Sequence, residues 1–177
     1  MFEISFPAAE LIYTIVWIVI RIAVWIRRKK TDLKREAVLL LMYINLAVII
    51  RFVFFPKALI NGHIQPLIFN PASVFPFRVN LIPFVYLFDY RNVRDVIWNI
   101  VGNVTMYIPS GIVLPVIYKN LNSFGKVIEA GVFISLCIEI LQLPFASRVS
   151  DIDDLILNTF GVAVGYGIYA LFRRLKR

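Results

Sequence analysis

The sequence has little with which to build a soluble catalyst or a disulfide-stapled domain. It contains one cysteine, Cys137, and one histidine, His63, which excludes an internal disulfide, every multi-cysteine metal site and a histidine-based zinc motif. Charged residues fill only 17% of its 177 positions, against about 25% in ordinary globular chains. Acidic residues are the scarcer sign, 11 against 19 basic. Apolar residues take their place: 60% of the chain is hydrophobic and the mean hydropathy is +0.79. A soluble enzyme, a nucleic-acid module and a disordered tail all fit this composition poorly, and the bilayer is the expected solvent. The formal charge of +8 would suit nucleic acid if it lined a polar face, but the basic residues sit at the ends of apolar runs. That is a topological pattern, so the expected partners are membrane lipids and not nucleic acid.

Crossing a hydrocarbon core of about 30 Å takes about 20 apolar residues. Five windows qualify, near residues 8–26, 37–56, 96–118, 127–146 and 153–172. The fold expected is all-α: a polytopic membrane helical bundle of about five transmembrane helices, forming one domain over residues 1–177. The N-terminal tail carries Glu3 and Glu10 and no basic residue, so the first window is expected to stay as an anchor. Arg27, Arg28, Lys29, Lys30, Lys34 and Arg35 crowd the first loop, Lys119 and Lys126 flank the third, and Arg173, Arg174, Lys176 and Arg177 end the chain. The positive-inside rule puts these three segments in the cytoplasm, with the N-terminus outside and the C-terminus inside.

Residues 57–95 then lie outside. Part of that segment is apolar enough to imitate a sixth span, but Pro66, Pro71, Pro76 and Pro83 interrupt any helix. Irregular backbone cannot face lipid in the hydrocarbon, so an outer-side interfacial or re-entrant element is expected. Phe69, Phe75, Phe77, Phe84, Tyr86 and Tyr90 suit the headgroup boundary.

Polar residues inside the spans carry most of the functional information, because an intramembrane charge is costly and faces the bundle interior. Asn99 and Asn103, Glu139 and Gln142, and Asp154 and Asn158 are spaced three or four apart, so each pair shares a helix face. At about 1.5 Å per residue, Asn103, Glu139 and Asn158 all fall roughly 8 to 11 Å below the outer ends of their spans. Arg51, about 6 to 8 Å deep, is a candidate partner for Glu139. Arg78, Asn80, Arg148, Asp151, Asp153 and Asp154 form the outer mouth of the cluster. Amides and paired charges also hold transmembrane helices together; Glu139 argues for a site, since a purely structural role is served by glutamine.

Asn45, alone in mid-span, reads as an interhelical hydrogen bond, and His63 as a loop residue. Gly161 and Gly165 let another helix approach closely, within the chain or in an oligomer. Pro109 frees a carbonyl near Thr105 and Met106, which predicts a kink and a pocket beneath Asn103.

These residues occur in a recognisable order: RVNLIPF at Arg78 to Phe84, NIVGNVTMYIPSGIVLP at Asn99 to Pro115, SLCIEILQL at Ser135 to Leu143, and RVSDIDDLILNTFGVAVGY at Arg148 to Tyr166. In this the chain resembles the VanZ-like family, small bacterial integral membrane proteins whose namesake is associated with teicoplanin resistance. The blocks cover most of residues 78–166, and the first two spans carry no matching motif. The resemblance implies Arg78, Asn80, Asn99, Asn103, Glu139, Gln142, Arg148, Asp151, Asp153, Asp154 and Asn158 as signature residues, with no catalytic role attached.

Several functions compete. The first is a binding or shielding protein of the bacterial cytoplasmic membrane, engaging a lipid-linked envelope component or a lipoglycopeptide from the outside through an outward-facing polar pocket. The second is an intramembrane enzyme with Glu139, and next to it Asp154, as acid or base. No cofactor is required, although Asp151, Asp153 and Asp154 have the oxygen chemistry to take a divalent cation. A transporter would need polar groups in the inner leaflet, where there is little beyond Asn45 and Thr105. A structural scaffold remains the plain alternative.

Overall fold

The computed structural model describes residues 1–29, 32–55, 59–85 and 92–176. Lys30, Tyr86, Tyr90 and Arg177, invoked above, lie outside the described residues. Five helices run between two ends of a bundle: α1 (Phe6–Arg28), α2 (Leu33–Ile49), α3 (Val93–Ile117), α4 (Phe124–Gln142) and α5 (Ile152–Leu175). The last turn of α2 widens into a π-helical turn over Ile50–Phe54. Local chemistry sets the boundaries. Ser5 accepts from the Ala8 amide to cap α1, with Pro7 in the first turn, and Lys29 ends that helix in the left-handed conformation. Asp32 caps α2 and Asp151 caps α5 through their side chains.

Four helices are long and apolar enough to cross a bilayer: α1, α2 with its π-turn, α3 and α5. The fourth helix in sequence, α4, has 19 residues and is as apolar as its neighbours, but it carries three charged residues, Lys126, Glu129 and Glu139. Contacts at its two ends nevertheless carry it from one end of the bundle to the other. The flanks expose rows of large apolar side chains, among them Leu11, Ile15, Val19, Leu41, Phe133 and Phe160, which only lipid would cover without a large penalty. This is a membrane protein.

One end is a cap of short strands. β1 (Phe2–Ile4) pairs antiparallel with β4 (Leu67–Phe69), and β2 (Leu59–Ile60) pairs with β3 (His63–Ile64) across a turn in which Asn61 and Gly62 both take positive φ. That is the backbone an Asn-Gly turn favours. β5 (Val79–Asn80) lies parallel to β6 (Ser150–Asp151). The Asn70 amide donates to the Pro144 carbonyl at 2.8 Å and the Ala146 amide to Ile68 at 3.0 Å. The chain start, the 59–85 segment and the α4–α5 loop therefore share one end, and no helix longer than one turn occurs in the described part of that segment.

The tightest packing joins α3 and α5, which run parallel. A methyl group on Gly161 would fall on the Val104 carbonyl, and one on Gly165 on the Ile108 carbonyl. The face predicted to accept a close helix is thus in contact with α3 of the same chain. Ile49, Val53, Tyr107, Val127, Ile138 and Val162 form the core beside this seam. Asn45 makes the interhelical contact expected of it: its Nδ2 donates to the Met106 carbonyl at 2.7 Å, and Ser110 Oγ donates to its Oδ1 at 2.6 Å. α3 runs unbroken through Pro109. The cleft beside that proline, about 710 Å³, opens sideways between α2 and α3 and is lined by Asn45, Gly102, Thr105 and Met106 instead of Asn103.

Candidate functional site

Three helices and the cap bring the predicted polar residues together at the cap end. α5 is the hub. Its N-cap residue Asp151 receives Asn80 Nδ2 at 3.0 Å on Oδ1, and the same oxygen accepts the Asp153 amide at 2.9 Å. Asp153 is 4% exposed and accepts the Phe84 amide at 2.7 Å, while Asp154 accepts from Asn103 Nδ2 across the α3–α5 seam. Two of the three aspartates therefore hold the 80–84 segment down as a roof. Their position in the first turn of α5 also lets the positive end of the helix dipole favour their charge.

Glu139 lies beneath that roof and is 3% exposed. Its Oε2 accepts the Asp151 amide at 3.0 Å, while Oε1 is buried with no hydrogen-bond partner among the described residues. One turn on, Gln142 Nε2 donates to the Val53 carbonyl at 2.9 Å, and its Oε1 is likewise unpartnered. Arg148 Nε donates to the Phe54 carbonyl at 2.8 Å and its Nη2 is buried without a partner. Helix ends leave their last carbonyls open, and the end of the π-turn supplies the two that Gln142 and Arg148 take. Burial pushes the Arg148 guanidinium below its ordinary pKa, an effect that nearby Asp154 partly offsets; it stays charged at neutral pH.

Asn158, 1% exposed, donates Nδ2 to Ser135 Oγ at 2.9 Å and leaves Oδ1 unpartnered, and Tyr107 Oη is also buried without a partner. Buried polar atoms in folded proteins are nearly all hydrogen-bonded. Here Tyr107, Glu139, Gln142, Arg148 and Asn158 each keep one that is not, spread over the cap-side turns of α3, α4 and α5 and the α4–α5 loop. Such a set offers one cationic donor, one carboxylate oxygen, two amide oxygens and a phenol to whatever enters.

Of the remaining signature residues, Arg78 does not reach into this group. Its guanidinium donates to the Ala146 and Phe145 carbonyls and, with the Ser150 amide on the Arg78 carbonyl at 3.0 Å, fastens β5 to the α4–α5 loop. Asn80 closes its own turn by accepting the Ile82 amide at 3.1 Å. Asn99 lies one turn nearer the cap than Asn103 on α3 and is half-buried. Arg51, matched by depth to Glu139, sets its guanidinium over the rings of Phe6 and Phe52 at 5.5 and 5.3 Å. The cluster is closed over by the 80–84 roof, so the expected open pocket takes the form of a buried site. Tyr107 and Ser135 complete it without having been singled out from the sequence. The signal was available: each lies four residues from a chosen position, Tyr107 from Asn103 and Ser135 from Glu139, on the same face.

The chain matches the VanZ/LLP1 family over residues 38–173, from the first turns of α2 to the last of α5. The match extends beyond the sequence blocks and leaves out α1. It is 35% identical over 106 residues to Protein VanZ of Enterococcus faecium, across 58% of this chain and 61% of that relative. The matched stretch is thus under two thirds of the relative's length. No solved structure matches the chain.

Proposed function

The chain belongs to the VanZ-like family, and from that premise and the geometry we propose that it binds a lipid-linked envelope component or a lipoglycopeptide at the outer face of the bacterial cytoplasmic membrane, giving teicoplanin-type protection. The carrying observation is the convergence of unpartnered buried polar atoms of Glu139, Gln142, Arg148, Asn158 and Tyr107. In this reading the cap end faces outward, with the N-terminus outside and the C-terminus inside, because the basic loops gather at the opposite end. The cap flank supplies the apolar surface an amphiphile needs: Phe75, Phe77, Leu81 and Ile82 are 77%, 64%, 71% and 63% exposed. Arg148 pairs with phosphate or carboxylate on the ligand, which reaches it by parting the hydrogen bonds of the 80–84 roof.

The test is susceptibility to teicoplanin beside vancomycin, which lacks the long acyl tail, in a sensitive Gram-positive host expressing wild type, Glu139→Gln or Arg148→Gln at matched membrane levels. Selective protection by wild type, lost in both variants, is expected. No protection by wild type removes the lipoglycopeptide arm, and full protection by both variants removes the site. The reading needs no cofactor: addition of Mg²⁺ or EDTA is expected to leave the melting midpoint of the purified protein unchanged, and a shift would put a cation at the aspartates.

A second reading has its own observation. Glu139 holds one oxygen on the Asp151 amide and keeps the other unpartnered, as an intramembrane acid or base would. Turnover of an envelope lipid by the purified wild type, abolished in Glu139→Gln and Asp154→Asn, would favour catalysis over binding.

A further inference from the structure

At the end of the bundle opposite the polar cluster, a cleft of about 870 Å³ opens between the start of α2, the end of α3 and the first half of α4. Its composition is two-sided. Arg28, Lys34, Arg35 and Lys119 line it from the loop ends, and Val38, Leu114, Phe133 and Ile134 line it along the helices. The acidic residue among its lining, Asp32, is engaged in capping: its Oδ1 accepts the Lys34 and Arg35 amides at 3.0 and 3.3 Å. Glu36, the next carboxylate, is paired with Arg21 of α1. Four cations thus face the cleft, and the two carboxylates on its α2 side, Asp32 and Glu36, are engaged elsewhere. Arg35 adds an independent sign: its Nε is buried with no hydrogen-bond partner among the described residues.

We propose that this cleft is a binding site for an anionic phospholipid of the adjoining leaflet, its phosphate held by Arg35 with Lys34, Arg28 and Lys119, and one acyl chain laid along Leu114, Phe133 and Ile134. Charge complementarity selects an anion. The apolar wall selects a lipid over a free phosphate, because a small anion gains nothing from Phe133, which is 66% exposed in the protein alone. Basic pockets between helices at a membrane surface recognise lipid headgroups through this combination. The site is independent of the proposal for the cap end and survives its failure.

The full chain, purified in detergent, would be equilibrated with phosphatidylglycerol or phosphatidylcholine of identical acyl chains and the bound lipid read by native mass spectrometry. Preferential retention of phosphatidylglycerol is expected, falling about fivefold per cleft charge removed in Arg35→Gln with Lys119→Gln. Arg173→Gln with Arg174→Gln, an equal loss of charge on the exposed last turn of α5, is expected to leave the preference unchanged. Glycerol phosphate at millimolar excess is expected not to displace the lipid. Equal retention of the two lipids by wild type, an equal fall in the α5 control, or displacement by glycerol phosphate would each overturn the proposal. If the double variant is not monodisperse, Lys119→Gln alone decides, since Lys119 is exposed and its loss should still cost about fivefold.

Discussion

α3 and α5 touch backbone to backbone, whereas α1 and α2 touch through the tips of side chains. On the first seam Gly111, Gly161 and Gly165 leave no room for a methyl group, and the nearest atom to each is a backbone carbonyl oxygen of the other helix. On the second, α1 buries no residue at all. Its contacts with α2 include a Tyr13–Tyr43 stack at 4.9 Å, the Tyr13 hydroxyl donating to the Tyr43 carbonyl at 3.0 Å, Trp17 tilted on Tyr43 at 5.4 Å, a Thr14–Tyr43 hydroxyl contact at 2.8 Å, and the Arg21–Glu36 ion pair. Packing in lipid draws on van der Waals contact and a few polar bonds, since apolar burial offers little gain there. A backbone seam has no rotamers with which to adapt; a side-chain seam can re-form after a change. The family match begins at residue 38 and so takes in the rigid seam and the polar site while leaving out α1.

The sharpest way to break this contrast is at the glycines. Gly161→Leu or Gly165→Val is expected to abolish monodisperse protein by size-exclusion chromatography, since even single-methylene overpacking costs about 1–3 kcal/mol and the obstacle here is backbone. Gly102→Ala and Gly167→Ala, where an added methyl meets nothing within 4 Å, are expected to be neutral in the same assay. Equal behaviour of the two sets would dissolve the distinction.

The ion pair of the other seam comes next in size. Arg21 and Glu36 are 12% and 21% exposed, between the surface and buried regimes, so Arg21→Gln is expected to lower stability by about 1–2 kcal/mol. The charge exchange Arg21→Glu with Glu36→Arg should restore most of it, as a seam made of side chains permits; a melting midpoint that stays at the single-variant value would show the seam to be less adaptable than argued. Smallest of all, Tyr43→Phe keeps both ring contacts and removes the hydroxyl contact with Thr14, for an expected loss of about 0.6 kcal/mol. A larger drop, or new protease cleavage between α1 and α2, would mean that one hydrogen bond holds α1 in place.

Much of the architecture was legible because hydropathy is a local property. All five helices fall where the apolar windows lie, and α4 ends at Gln142, four residues short of its window, where Pro144 has no amide with which to continue the helical ladder. The helix-face pairs Asn99/Asn103, Glu139/Gln142 and Asp154/Asn158 follow from the 3.6-residue period and do converge at one end. The strands were not legible in the same way. Residues 2–4 pair with 67–69 across α1 and α2, and nothing within either segment announces the other. The Asn61-Gly62 turn was a readable hairpin signal that the apolar context obscured. The roles of Arg78 and Asp153 were also out of reach, since a charged side chain that clamps a backbone reads the same in sequence as one that waits for a ligand.

By itself, then, the sequence determined that this is a helical membrane protein, where its chain turns, which end collects its basic charge and which residues face the interior, because each of these depends on composition within a window or on spacing along one helix. Only the tertiary structure decided which of the interior polar atoms are satisfied. Asp151 and Asp153 have donors; Glu139 Oε1, Gln142 Oε1 and Asn158 Oδ1 have none among the described residues. Hydrogen bonding is a matter of a few tenths of an ångström between residues far apart in sequence, and no window along the chain fixes that distance.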